Sequence, residues 1–226
     1  MIHHPQNEMI EKYSTGELLP HLATMISAHL DVCEDCRFTY NQILKRESRD
    51  FASVTSDLSN KELDTAFDSI MNKVTQFKQD LKNEEAPEGM AINVAGQVIH
   101  LPRSLNFLKD RQISWKEFGK KNAIAPIVMS PTGNFYLIYI GPGESVPQHN
   151  HSGIEYSYVV AGSYDDGISV FNTGDFSLST HNTSHSPRAT SEDGCLVISW
   201  VEGRLNYFDG LLKPLNSILW WYLHRA

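Results

Sequence analysis

Residues 143–162 read Gly143-Glu-Ser-Val-Pro-Gln-His149-Asn-His151-Ser-Gly-Ile-Glu155-Tyr-Ser-Tyr-Val-Val-Ala-Gly162. His149 and His151, two apart on a strand, point to one face. Glu155 follows after a turn, and Gly162 closes the hairpin. Imidazoles and a carboxylate gathered on a rigid sheet suit a divalent transition metal. A lone strand histidine is ordinarily a satisfied core residue, but this grouping of three donors argues for a site. His185, further along the chain, is the natural fourth ligand.

Around this stretch the hydrophobic period is two. Asn134–Ile140, 155–160, 168–171, Phe176–Ser179 and Cys195–Val201 are short, rich in Val, Ile, Tyr and Phe, and mostly separated by Gly turns. Such strands predict an antiparallel sandwich or barrel. The aromatic tail 215–223 is expected to cover that barrel or a subunit interface.

Upstream the period changes to that of a helix. Met9, Ile10 and Tyr13 precede Gly16, and Leu18, Leu19, Leu22, Met25 and Ile26 form a second apolar stripe. A third helix is expected from about Ile26 through the cysteines to Leu44. The mostly polar stretch 47–58 reads as a loose connection. Ser59-Asn60-Lys61-Glu62 is a capping box. Behind it Leu63, Phe67, Ile70, Met71, Val74, Phe77 and Leu81 mark a helix of about five turns over 59–81. Acid, Pro and Gly around Glu84-Glu85-Ala86-Pro87-Glu88-Gly89 then mark a linker. The fold expected is α+β in two domains: helices over 1–85, a linker over 86–97 and an antiparallel β-barrel over 98–226.

The helical part carries a second donor group. His29, Cys33 and Cys36 stand at i, i+4 and i+7. On one continuous helix they fall within a single 60° sector at 100° per residue. Thiolate with imidazole favours zinc, which takes four ligands in a structural site. The fourth could come from His3-His4. A thioredoxin-type redox pair would need a preceding strand and a helix N-terminus to lower the thiol pKa, and neither is visible. Three cysteines in all, an odd count, argue against a disulfide framework.

Composition excludes several classes. The 226 residues are 41% apolar and 20% charged, so neither disorder nor a fibrous architecture is expected. The longest apolar runs, 135–140 and 218–223, are far short of the ~20 residues that span a bilayer. No apolar run follows a basic start, so a cytoplasmic location is expected, with no membrane association. Net charge is −8, and residues 1–85 hold 9 Lys/Arg against 15 Asp/Glu. That balance opposes direct nucleic-acid binding and suits a partner with a basic face.

Two resemblances follow from these motifs. His4-x24-His29-x3-Cys33-x2-Cys36 resembles the zinc-binding anti-sigma domain over about the first 85 residues, and its spacing selects His4 over His3. The run from Gly143 to Gly162 resembles the first cupin motif at every spacing. The second motif survives in outline: Gly174-Asp175, then Thr180 and Asn182 where Pro and Gly are usual, His185 in the metal position, and Ala189 in place of Asn. Together they resemble anti-sigma factors of the ChrR type over nearly the whole chain. That resemblance implies zinc at His4, His29, Cys33 and Cys36 and zinc at His149, His151, Glu155 and His185. It further implies an extracytoplasmic-function (group IV) sigma factor as partner, inhibited until singlet oxygen or a related oxidant releases it, and no catalytic residues. The helix 59–81 would present Leu63, Phe67, Ile70, Met71 and Val74 to that partner, or pack them on its own domain. The alternatives are a cupin metalloenzyme, a dioxygenase or isomerase, and a repressor whose cupin senses a small molecule.

Overall fold

The computed structural model describes residues 3–52, 65, 67–70, 90–203 and 205–207. The chain opens with three helices: α1 (Asn7–Ser14), α2 (Pro20–Val32) and α3 (Glu34–Ala52). Pro20 occupies the first turn of α2, where its missing N–H has no partner to lose. Gly16, at φ +75°, follows α1 in a conformation that few other residues adopt without strain.

Two helical expectations need correction. His29 to Cys36 is not one helix, because the backbone turns extended at Cys33 (φ −101°, ψ 109°), between α2 and α3. The stretch expected to be loose from 47 onward is instead helical as far as Ala52. Ser48 and Arg49 of this stretch are exposed on α3, and just before it Arg46 reaches Glu11 of α1 at 3.6 Å. Of the helix expected over 59–81, residues 65 and 67–70 are helical and exposed, and the remainder lies outside the described residues. So do the linker residues up to 89 and the tail 215–223.

The hairpin β1 (Ala91–Val94) and β2 (Gln97–His100) begins inside the stretch read as linker. After a 3-10 helical segment (Arg103–Asp110) come β3 (Lys116–Phe118), β4 (Asn122–Met129), β5 (Asn134–Ile140), β6 (His149–His151) and β7 (Glu155–Asp165). The remaining strands are β8 (Val170–Asn172), β9 (Phe176–Ser179), β10 (Arg188–Ala189), β11 (Cys195–Val201) and β12 (Leu205–Tyr207). The main sheet runs β10-β7-β11-β5-β4-β3, with β8 and β9 also on β7, and β6 pairs with β12. Every pairing is antiparallel. All seven residues of β11 are buried, as befits a strand flanked by β5 and β7 and covered on both faces.

One of those covers is the helical unit. Met25, Ile26 and Ala28 of α2 share a continuous apolar core with Leu105, Leu137, Tyr158, Leu196 and Trp200. His21 of α2 stacks on the Trp200 ring. The Tyr158 hydroxyl donates to the Ala28 carbonyl at 3.1 Å, and Ser104 Oγ donates to Asp31 at 2.8 Å. Helices and barrel are therefore docked through buried surface. No helix among the described residues is long and apolar enough to cross a membrane.

Candidate metal centres

At the N-terminal cluster the break at Cys33 does what a straight helix would not. His29 comes from the last turn of α2, Cys33 from the joint and Cys36 from the first turn of α3, while His4 arrives from the chain start. The His4 Nδ1 lies 3.4 Å from Cys33 Sγ and 3.3 Å from Cys36 Sγ. The His29 Nδ1–H donates to the Gly174 carbonyl at 2.7 Å, which fixes the tautomer and leaves Nε2 as an acceptor. That Nε2 is buried without a protein partner, the mark of a nitrogen reserved for an ion.

One donor atom from each of the four residues lies within 4.8 Å of the others. Around a tetrahedral ion with bonds of ~2.3 Å to sulfur and ~2.0 Å to nitrogen, neighbouring donors sit about 3.5 Å apart. Burial, then the neighbouring Cys33 thiol, pushes the Cys36 thiol up to about 12. A cation is what would deprotonate it at neutral pH. The residues fit a metal, and His4 rather than His3 joins the set.

The barrel cluster is assembled by strand register. His149 and His151 project from one face of β6. His149 and His185 exchange backbone hydrogen bonds at 3.0 Å each, which brings the second motif against the first. The His185 Nε2 then lies 3.1 Å from both the His149 Nε2 and the His151 Nε2. Glu155, the first residue of β7, places Oε2 at 2.8 Å from His151 Nε2 and 3.6 Å from His185 Nε2.

The His149 Nδ1–H donates to the Pro147 carbonyl at 2.7 Å, turning Nε2 inward. Ser157 Oγ donates to Glu155 Oε1 at 3.2 Å and is itself bonded to Ser199 Oγ, so the carboxylate is held on its far side. Burial lowers His149 to about 4. Burial works to raise the Glu155 carboxyl, but His151, His185 and His149 outweigh it and hold the group well below the usual carboxylate range. Neutral imidazole and ionised carboxylate are the forms that ligate a metal. Gly162 explains the end of the motif: at φ +79° it lies against β11, where a Cβ would collide with the Gly194 carbonyl.

Beside this cluster lies a small cavity of about 80 Å³. Ile124, Ile138, Val146 and Val197 line it, with His149, Glu155 and His185 on one wall.

All eight expected metal ligands thus gather into the two expected groups. Of the expected partner-binding residues, Phe67 and Ile70 are exposed at 63% and 58%, and Leu63, Met71 and Val74 lie outside the described residues. Cys195 is 1% exposed, and burial pushes its thiol up to about 12, which opposes thiolate reactivity at neutral pH. The sequence reading missed the ligand supports: Gly174, Ser157 and Ser199. Gly174-Asp175 was visible as part of a cupin motif, but nothing local connects it to His29, 145 residues away.

Residues 105–202 match the ChrR cupin-like domain family. Over 215 residues the chain is 22% identical to the anti-sigma-E factor ChrR of Cereibacter sphaeroides, covering 93% of this chain and 94% of that one. Among solved structures it is similar to the complex of Rhodobacter sphaeroides SigE with the anti-sigma ChrR, with a TM-score of 0.64 at 18% identity, over 88% of this chain and 98% of that one. An RmlC-like cupin protein from Ralstonia eutropha aligns at a TM-score of 0.42 and 22% identity, over 46% of this chain and 72% of its own. The chain resembles ChrR-type anti-sigma factors from its first helices through its barrel.

Proposed function

We propose, with that resemblance as premise, that the chain is a zinc-dependent anti-sigma factor. Residues 1–85 would bind and inhibit an extracytoplasmic-function (group IV) sigma factor, and the barrel over 98–226 would act as sensor. The observation that carries the reading is the pairing of two four-donor sets in one chain, the second wholly buried and the first buried at all but His4. One joins short helices, and the other fills a cupin barrel. Zinc suits both, since each set offers four donors of the types that zinc accepts and so leaves no open position for hydrolytic chemistry.

Zinc at His4, His29, Cys33 and Cys36 would fix the angle between α2 and α3. Helices of 8 and 13 residues are marginal in isolation, so the metal contributes folding energy directly. Phe67 and Ile70, helical and exposed, are consistent with an apolar face offered to the partner together with Leu63, Met71 and Val74. The acidic balance of residues 1–85 favours a basic partner surface. Singlet oxygen or a related oxidant, acting at the barrel, would shift the complex toward release. A cytoplasmic setting follows from a partner that works on RNA polymerase.

The test is affinity capture of the full-length chain from unstressed host lysate, read by mass spectrometry. A sigma factor recovered near one-to-one is expected. Its absence, from cells that express a sigma factor of this group, would overturn the reading. The cavity beside the barrel cluster favours one alternative, a cupin that senses or turns over a small apolar molecule at its metal. Stoichiometric iron or manganese together with turnover of a small apolar molecule would decide for that alternative.

A further inference from the structure

The N-terminal cluster takes its ligands from the helical unit, yet much of what orients them belongs to the barrel. His29, fully buried, is held by the Gly174 carbonyl at 2.7 Å. His4 is held one residue away. The Phe176 N–H donates to the His3 carbonyl at 2.9 Å, the His3 N–H donates to Asp175 Oδ1 at 3.3 Å, and the His3 ring packs on Phe171 at 4.4 Å. The chain start is thus zipped to the beginning of β9.

The turn that provides these partners is itself rigid. Asp175 Oδ2 accepts the Asn172 N–H at 2.9 Å, and Val159 of β7 bonds Gly174 and Asp175 on either side, at 2.8 and 3.0 Å. One residue earlier on β7, the Tyr158 hydroxyl holds the Ala28 carbonyl, next to His29. Groups that support a metal's ligands typically change its affinity 10–100-fold when removed.

We infer that the barrel turn 172–175, with Tyr158, is a positioning element of the N-terminal metal centre, orienting His29 directly and His4 through His3. The inference rests on a metal being bound there and goes beyond the sigma-factor reading. The hold on that metal then depends on the barrel staying docked. One strand, β7, touches both centres: Glu155 at its start belongs to the barrel cluster, and Tyr158 and Val159 support the turn and α2.

The test uses the full-length chain loaded with Co²⁺. Absorption from cobalt–thiolate bonds reports the Cys33/Cys36 centre alone, because the barrel cluster contains no sulfur ligand. Transfer of cobalt to a chelator is followed in wild type, Asp175→Ala, Tyr158→Phe and the control Tyr139→Phe. Tyr139 is an equally buried phenol, but its hydroxyl donates to Asp193 within the barrel. Asp175→Ala is expected to weaken cobalt retention roughly tenfold or more. Tyr158→Phe should weaken it severalfold, and Tyr139→Phe should match wild type. Near-UV circular dichroism checks that each barrel is folded, and should Asp175→Ala fail that check, Tyr158→Phe decides. Wild-type retention in the folded variants would overturn the inference. A wild-type protein with no cobalt–thiolate absorption would instead overturn the metal reading beneath it.

Discussion

At the N-terminal cluster the four donors come from a chain start, a helix end, a helix joint and the next helix, and a single backbone bond, from the Cys33 N–H to the His29 carbonyl, joins two of them. At the barrel cluster His149, His151, Glu155 and His185 stand on or beside paired strands whose register fixes their spacing before any ion arrives. Metal should therefore build the first centre and only fill the second. A helical unit of this size has little core of its own, and it leans on the barrel for the rest.

The largest expected effect is at the site that metal builds. Cys33→Ser with Cys36→Ser should remove the thiolate centre, abolish capture of the sigma factor and raise amide exchange through α1–α3, while β5, β7 and β11 stay protected. Hydrogen exchange by segment, beside the capture assay, reads both halves; helices that stay protected without metal would break the comparison. Next comes His149→Ala. The barrel should lose most of its metal yet keep its strands, retain the thiolate centre and respond poorly to oxidant. Metal analysis with the same exchange map tests it, and a melted barrel would show that its ion, too, is structural.

The smallest expected effect is electrostatic and lies between the two regions. Burial lowers His21, stacked on Trp200, to about 4 from its ordinary value near 6.5. The unfolded chain therefore takes up this proton first. The contribution of neutral His21 is complete above pH 6.5 and is lost as the pH falls toward 4. A His21→Phe variant should show a shallower loss of melting temperature across that window than wild type. Comparing the two isolates this group from the metal ligands, which titrate in both.

How much of this could be read along the chain depends on how local each signal is. His149 and His151 share a face because strands have a period of two, and Gly162 advertises the tight approach of β7 to β11, so the barrel centre is legible from spacing alone. Strand β4 is not, because Pro126 interrupts its pattern. The structure accommodates it with an irregularity in pairing to β5 between Pro126 and Val128. The spacing of His29, Cys33 and Cys36 signals a centre correctly but for a different geometry, since the helix it assumes breaks at Cys33. The grip of Gly174 on His29 has no local signature at all, being made by a backbone carbonyl, which every residue possesses.

The bond between His3 and Asp175 spans 172 residues, and that distance is also an interval of time. At a synthesis rate of ~5–20 residues per second, the ribosome adds Asp175 roughly 10–30 s after His3. For most of that interval His4, His29, Cys33 and Cys36 have all been made, and the surface that steadies two of them has not. Newborn chains should accordingly meet the cell's metal pool with a looser, more exchangeable centre than finished ones. Synthesis of the barrel turn 172–175 and the strands that carry it is then what turns a provisional metal complex into a durable one.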